Sequence, residues 1–304
     1  GNFSFRGSLR SKIYVDKSKL IAKTNEALCT EQKYICVSRP RRFGKSMAAN
    51  MLAAYYARSE NTEELFQNLV ISKDVSYKEN LNQYDVIYLD IQWCMMDAGS
   101  AEQTVSYLNY YVIEELKEIY PQILPDGIRT AYGAMSCINA QTGVKFIVII
   151  DEWDVLIRDE AQNHTLQEAY IDFLRGMFKG TEPSRYIALA YLTGILPIKK
   201  YGTHSALNMF DEFSMIAPGP LACYVGFTEQ EVKKLCEQYG MDMEEVKNWY
   251  DGYSFDGVLS VYSPRSVVNS MRFRKISNYW NQTETFEALQ MYIDMNFEHL
   301  KDDV

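Results

Sequence analysis

The chain has no long apolar run, few histidines and no paired cysteines. No segment approaches the roughly 18 apolar residues of a membrane-spanning helix, and no basic-then-apolar leader opens the sequence, so we expect a soluble, cytoplasmic protein. The six cysteines form no C-x-x-C pair and the three histidines are far apart, which argues against a zinc site, a disulfide framework or a histidine dyad. The net charge of −9 does not indicate nucleic-acid binding, although local basic clusters leave it open.

The most informative segment that is present surrounds Gly44, Lys45 and Ser46. An apolar strand pattern over residues 34–38 precedes it, and an Ala/Met/Leu-rich helix pattern follows. In this context backbone N–H groups hold a polyphosphate, Lys45 reaches the β- and γ-phosphates, and the Ser46 hydroxyl ligates Mg²⁺. We therefore predict a phosphate-binding loop for ATP. Its predicted cofactor-binding residues are Arg39, Pro40, Arg41, Arg42, Phe43, Gly44, Lys45, Ser46 and Met47.

A second motif ends a buried strand pattern. Residues 145–150 are apolar after the first lysine, and Asp151 and Glu152 follow directly. Two acids at the carboxyl end of a strand suit two separate tasks in nucleotide hydrolysis. We predict that Asp151 holds the Mg²⁺ shell and that Glu152 is the base that polarises the attacking water.

A third strand pattern, over residues 185–192, ends in Thr193 and Gly194. A hydroxyl at that point suits a sensor of the γ-phosphate, and Thr193 is predicted in that role. The alternative is a Thr-Gly turn that closes the strand, since both residues are common there.

Arginines outside the loop provide two further candidates. Arg175 lies in a helical pattern after the second motif and is predicted as a charge-stabilising finger, for its own site or a neighbouring subunit's. An ordinary surface arginine is the alternative. For the later cluster Arg265, Arg272, Arg274 and Lys275, a solvated helix face is the favoured interpretation.

Strand patterns that alternate with helix patterns predict an α/β fold, a three-layer αβα P-loop core with a mostly parallel sheet. We assign residues 1–30 to an extended lead-in with a helix capped near Asp16, and residues 31–222 to the core. Residues 223–304 are assigned to a smaller helical lid, because a capping box at Thr228 to Glu231 opens a run of short helix patterns. The aromatic segment 249–253 is interpreted as a turn in that lid.

Several of these segments together resemble the bacterial AAA-ATPase-like family. The most specific is Arg39-Pro40-Arg41-Arg42-Phe43-Gly44-Lys45-Ser46, because the family also carries Arg-Pro where other P-loops have their first glycine. The other segments are residues 14–18, 151–154, 193–200 and 249–253. Members of the family often continue into a PD-(D/E)xK nuclease-like domain, and no convincing constellation of that kind follows residue 280.

These observations predict a Mg²⁺-dependent module that binds ATP and hydrolyses it. A non-hydrolysing, nucleotide-gated module that controls a partner or a fused nuclease is the alternative. A nucleoside kinase is a more distant one, since no acceptor-binding acid motif or Arg-rich lid of that kind is present. Besides the nucleotide, a protein partner or a second copy of the chain is left open, and no membrane is expected.

Overall fold

The computed structural model describes residues 1–198, 207–215, 217–255 and 259–279. Outside these residues lie Lys199 and Lys200, which end one segment of the resemblance, and the segment searched for a nuclease constellation.

A five-stranded parallel sheet forms the centre of the molecule, with the strand order β2-β3-β4-β1-β5. Its strands are β1 (Tyr34–Ser38), β2 (Asp85–Asp90), β3 (Phe146–Asp151), β4 (Ile187–Gly194) and β5 (Asp211–Phe213). Every residue of β1, β3 and β4 is buried, as expected for parallel strands that helices cover on both faces. The predicted α/β fold with a mostly parallel sheet is confirmed.

Helices precede, connect and cover the strands. Those of the core are α1 (Asn2–Leu9), α2 (Lys19–Ala27), α3 (Lys45–Tyr56), α4 (Glu63–Phe66), α5 (Tyr77–Asn80), α6 (Ile91–Asp97), α7 (Thr104–Ile119), α8 (Ala131–Thr142), α9 (Val155–Asp159), α10 (His164–Phe178) and α11 (Thr181–Tyr186). Short 3₁₀ helices cover Val70–Lys73, Ala101–Gln103 and Gly219–Leu221. Among the described residues, no helix has both the length and the apolar character needed to cross a bilayer.

Two apolar layers separate the helices from the sheet. Alternate residues of a strand point to opposite faces, so Ile147 and Ile149 of β3 join the layer with α2 and α3, while Val148 and Ile150 join the layer with α7, α8 and α10. The three-layer arrangement follows directly from the continuous apolar character of the inner strands.

The strand order decides where the motifs meet. Strand β4 lies between β1 and β3, with Ser38 opposite Gly194 and Ile150 opposite Leu192. Because the strands are parallel, the loop after β1, the acids after β3 and the end of β4 share one edge of the sheet. Ligands bind at this edge in open α/β sheets.

The C-terminal region, here the described residues from Cys223 onward, is not purely helical. Besides α12 (Glu229–Tyr239), α13 (Met243–Tyr250) and α14 (Pro264–Phe273), it contains an antiparallel sheet of order β6-β8-β7. The strands are β6 (Phe227–Thr228), β7 (Asp251–Phe255) and β8 (Leu259–Tyr262). The interpretation of residues 249–253 as a turn is therefore wrong, because α13 passes directly into β7, which pairs with β8.

The opening of the chain also differs from the prediction. Residues 2–9 form α1 rather than an extended lead-in, because Phe5 is fully buried and stacks on Phe66 at a centroid distance of 5.1 Å. The extended segment is confined to the residues just before α2. Asp16 still serves the start of α2, since its Oδ1 accepts a hydrogen bond from the Ser18 amide at 2.8 Å.

Candidate nucleotide-binding site

The loop after β1 places the first turn of α3 at the edge of the sheet. Gly44 is the N-cap of α3 with φ of 90°, a left-handed conformation that glycine adopts without strain. The amides of a helix's first turn have no partner inside the helix, and the helix dipole adds positive potential there. This helix end is therefore suited to bind phosphate.

Lys45 is buried beneath the loop, with only 4% of its surface exposed. Its Nζ lies 3.2 Å from the carbonyl oxygen of Pro40 and 3.9 Å from Oε1 of Glu152. Burial lowers the pKa of Lys45, against the attraction of Glu152. Burial likewise raises the pKa of Glu152, against the attraction of Lys45. An anion that approaches Lys45 would compensate the charge that burial disfavours.

A cavity of about 890 Å³ opens in front of this loop. It has three walls, formed by the loop and α3, by the segment before α2, and by the C-terminal region. The side chains that line these walls include Arg41, Arg42, Phe43, Ser46, Met47, Ile13, Tyr14, Val15, Lys17, Tyr224, Phe227, Arg265, Val268, Asn269 and Arg272. Apolar and aromatic residues beside a cationic loop fit a ligand with a flat apolar part and an anionic part.

Asp151, Thr193 and Ser46 do not all face this cavity. Ser46 is exposed and lines it. Asp151 is buried just behind, where Thr193 Oγ1 donates a hydrogen bond to its Oδ1. Thr193 is fully buried and is not among the cavity-lining residues. The structure thus brings Thr193 to the predicted Mg²⁺ ligand, and its role as a phosphate sensor stays a prediction.

Arg39 and Pro40 lie outside the cavity lining, unlike the rest of the predicted loop. Arg39 is fully buried, and its Nη1 donates to the carbonyl oxygens of Ser38 at 2.8 Å and Phe213 at 2.7 Å. Its amide donates to the carbonyl oxygen of Gly194 at 3.0 Å. Arg39 therefore ties the ends of three strands together beneath the loop.

Arg175 is not brought to the cavity of its own chain. It lies in the last turn of α10 and pairs with Asp172 at 2.6 Å, with 39% of its side chain exposed. Because α10 and α11 lead from the carboxyl end of β3 back to the amino end of β4, this turn lies toward the opposite edge of the sheet. The geometry gives Arg175 no role as a finger within the chain.

Sequence reasoning missed Asp154 and Arg158. Asp154 is fully buried, and its Oδ2 accepts hydrogen bonds from the amides of Ile195 at 3.0 Å and Leu196 at 2.8 Å. Arg158 Nε donates to the same oxygen at 3.0 Å, and its Nη2 donates to Glu152 Oε2 at 3.0 Å. The i,i+4 spacing of Asp154 and Arg158 at the start of a helix was the available signal.

Three arginines form the outer rim of the cavity. Arg42 belongs to the loop, while Arg265 and Arg272 come from α14. Burial lowers the pKa of Arg42, and so do the nearby positive charges of Arg265 and Arg41. Arg265 and Arg272 are exposed, as the interpretation of a solvated helix face expects, and the fold also places both at the cavity beside the loop.

Lys17 connects the segment before α2 to the C-terminal region. Its Nζ donates to the carbonyl oxygen of Cys223 at 2.8 Å and to Glu231 Oε2 at 2.5 Å. The same Glu231 oxygen accepts from the Thr228 amide at 2.8 Å, within the capping box of α12. Two walls of the cavity are thus joined by one ion pair.

The sequence matches the AAA-ATPase-like family, described as predicted AAA-ATPase, over residues 5–203. The chain belongs to this family. Family membership and the site geometry together support a nucleotide-binding P-loop module.

Two known proteins are similar over most of the chain. It is 27% identical over 284 residues to an uncharacterized protein of the vnfD 5′ region of Azotobacter chroococcum mcd 1, covering 90% of this chain. The chain spans 51% of that relative's length. The second protein is known from a crystal structure of a DNA replication initiation factor. The match covers 94% of this chain and 67% of that one, with 11% sequence identity and a TM-score of 0.38.

Proposed function

We propose that this module binds ATP with Mg²⁺ and hydrolyses it. The observation that carries the proposal is the meeting of Lys45 and Glu152, whose Nζ and Oε1 lie 3.9 Å apart where the first turn of α3 faces the end of β3. A phosphate-binding lysine and a candidate base are thus direct neighbours, so that a terminal phosphate bound by Lys45 would lie close to Glu152. The family membership supports the same function.

The residues around the loop fit a magnesium nucleotide. No cluster of three or more acidic, histidine or cysteine side chains that could hold a metal occurs in the described parts of the chain. Mg²⁺ in nucleotide sites commonly takes one or two protein ligands, with phosphate and water completing its octahedron. The exposed Ser46 hydroxyl and the Asp151 carboxylate behind it match that need, and the ion would neutralise charge on the phosphates.

Each side chain then has one task. The amides of the loop and of α3 bind phosphate together with Lys45, and Ser46 and Asp151 hold the ion. Thr193 fixes the orientation of Asp151 by its hydrogen bond. Glu152 accepts a proton from the attacking water, and Arg42 and Arg265 close the outer side of the phosphates.

Calorimetry with Mg·ATP and a phosphate-release assay test this proposal on the wild type, Lys45→Met and Glu152→Gln. We expect Lys45→Met to lose most of the affinity, because it removes the buried cation. We expect Glu152→Gln to bind ATP but to lose about 10²–10⁴-fold in turnover, the range for general-base catalysis. Chelation of Mg²⁺ should abolish turnover. Normal turnover in Glu152→Gln would contradict the role of Glu152.

A nucleotide-gated module without hydrolysis is the second candidate. The observation that favours it is that both oxygens of Glu152 face cations, Lys45 on one side and Arg158 on the other. A base held in this way orients no water until Lys45 turns to the phosphates. Wild-type protein that binds Mg·ATP without releasing phosphate would support this candidate over the first.

A further inference from the structure

Glu152 has an unusual backbone conformation for its position. Its φ of 52° lies in the left-handed region, where a non-glycine residue is uncommon and where strain concentrates at functional sites. The Glu152 amide donates to Asp151 Oδ1 at 3.1 Å, and the next amide, that of Trp153, donates to the Thr193 carbonyl oxygen at 2.9 Å. The turn is therefore fixed on both sides, and it directs the Glu152 side chain toward the loop.

The two oxygens of the Glu152 carboxylate have different partners. Arg158 Nη2 binds Oε2 at 3.0 Å, which is a full hydrogen bond. Lys45 Nζ lies 3.9 Å from Oε1, beyond hydrogen-bond distance. Asp151 and Asp154 are the acidic groups that also face this carboxylate. The arrangement leaves Oε1 as the oxygen available to a further partner.

Arg158 itself is held firmly. Its side chain is 5% exposed, and its Nε is bound to the fully buried Asp154. Asp154 is in turn bound to the amides of Ile195 and Leu196, just after β4. The Leu196 carbonyl oxygen accepts a hydrogen bond from Ser38 Oγ at 3.0 Å, at the end of β1. The position of the guanidinium is therefore fixed relative to the ends of β4 and β1, and the phosphate-binding loop follows β1.

Gly194 allows this network to form. A Cβ at this position would lie 2.5 Å from the Trp153 ring and 2.7 Å from Asp154 Oδ1. Such distances are too short for real contacts, so only glycine lets Trp153 and Asp154 pack directly on the end of β4. The Thr-Gly pair at the strand end therefore positions Asp151 through the threonine and Asp154 through the glycine.

We propose that Arg158 is a positioning residue for Glu152: it holds the carboxylate by Oε2, so that Oε1 is directed toward the phosphate-binding loop. The inference rests on the proposed hydrolysis, and it adds a residue that acts through Glu152 rather than on the nucleotide. Arg158 is not among the cavity-lining residues, which is consistent with an indirect role. A lysine would keep the charge but not the planar fork that joins Asp154 to Glu152.

The first experiment compares Arg158→Met and Arg158→Lys with the wild type in steady-state hydrolysis. We expect Arg158→Met to lower kcat about 10–100-fold, since a misplaced catalytic group can cost on the order of 10²-fold. KM and the calorimetric Kd for Mg·ATP should stay within about twofold, because Arg158 lies outside the cavity. Arg158→Lys should recover part of kcat. Arg185→Met, at an exposed arginine that pairs with Glu182 on α11, is the matched control and should behave like the wild type.

A double-mutant cycle separates positioning from a general effect on folding. If Arg158 acts through Glu152, adding Arg158→Met to Glu152→Gln should cause no further loss of kcat, whereas independent effects would multiply. The same cycle in urea unfolding of the nucleotide-free protein should show coupling between the two positions, and this readout does not depend on turnover.

Different outcomes contradict the two proposals. Wild-type kcat in Arg158→Met, multiplicative losses in the double variant, or no coupling in urea would overturn the role of Arg158 and leave hydrolysis intact. Wild-type protein that binds Mg·ATP without turnover contradicts hydrolysis instead. In that case the urea cycle still decides whether Arg158 and Glu152 act as a pair.

Discussion

The inner and outer sides of the cavity carry charge in opposite ways. On the inner side, the side chains of Lys45, Arg158 and Asp154 are buried and that of Glu152 is partly buried, and the four form a connected set of opposite charges. On the outer side, Arg42 and Arg265 are exposed like charges, and the pKa of Arg42 is lowered by its partial burial and by the positive charges of Arg265 and Arg41. The inner side is therefore organised before any ligand arrives. Arg42 and Arg265 form no ion pair with another described residue, and an anion in the cavity would supply one.

This difference separates stability from affinity. Buried ion pairs tolerate the loss of one member poorly, because the remaining charge is left without compensation. Exposed like charges contribute little to stability and are screened by salt. Substitutions on the inner side should therefore change folding as well as function, while those on the outer side should change ligand affinity and its salt dependence without a large effect on folding.

The largest effect on stability is expected from Asp154→Ala. The substitution removes the buried acceptor of the Arg158 Nε–H and of the amides of Ile195 and Leu196. We expect a loss of about 3–5 kcal/mol in the free energy of unfolding, measured by urea denaturation. Asp172→Ala, which removes an exposed i,i+3 pair with Arg175, is the control and should change stability by less than about 0.5 kcal/mol. Equal effects of the two variants would contradict the large contribution to stability that we assign to the buried inner side.

An intermediate effect is expected from Arg265→Met. It should weaken Mg·ATP binding about 10-fold, since hydrogen bonds to charged groups contribute roughly 1.5–3 kcal/mol, and it should reduce the dependence of Kd on salt. The free energy of unfolding of the nucleotide-free protein should be unchanged or slightly higher, because one of the positive charges that repel Arg42 is removed. Lys234→Met, at an exposed position of α12, is the control for charge alone. Calorimetry over a salt series measures both quantities, and unchanged affinity in Arg265→Met would place the outer rim outside the site.

The smallest effect is expected from Arg175→Ala. Because Arg175 pairs with Asp172 away from the cavity, kcat should stay within about twofold of the wild type, and stability within about 0.5 kcal/mol. Phosphate release over a tenfold range of protein concentration measures this and also detects a contribution between subunits. A large loss of kcat would restore the arginine-finger role that the sequence suggested.

The centre of the site could be predicted because its parts are contiguous in sequence. One motif is glycine, lysine and serine between a strand pattern and a helix pattern. The other is two acids directly after an apolar strand pattern. Each motif can be recognised from the residues next to it in the sequence. Parallel strands then bring such segments to one edge without further information. Strand order was needed to show that Thr193 adjoins Asp151, since neighbours in the sheet are distant along the chain.

The remainder depends on contacts that sequence spacing does not show. Arg158, which is buried, and Arg175, which is exposed, both lie on helices after the same strand, and each follows an acidic residue by about one helical turn. This local spacing therefore does not separate them. The fold alone decides which of them meets Glu152. In the same way, α14 has the pattern of a solvated helix, and only its packing beside the loop turns Arg265 toward the cavity.

The ion pair between Lys17 and Glu231 is one of several contacts that join the walls of the cavity. Ile13 and Val15 pack against the apolar core of the C-terminal region, and the Tyr239 hydroxyl donates to the Lys12 carbonyl oxygen at 3.4 Å. The segment before α2 is held from the other side as well, because Tyr14 contacts Phe5 of the core and Asp16 Oδ2 accepts a hydrogen bond from the Val70 amide at 2.7 Å. A nucleotide in the cavity would therefore contact three parts of the chain that are already joined to one another before it binds.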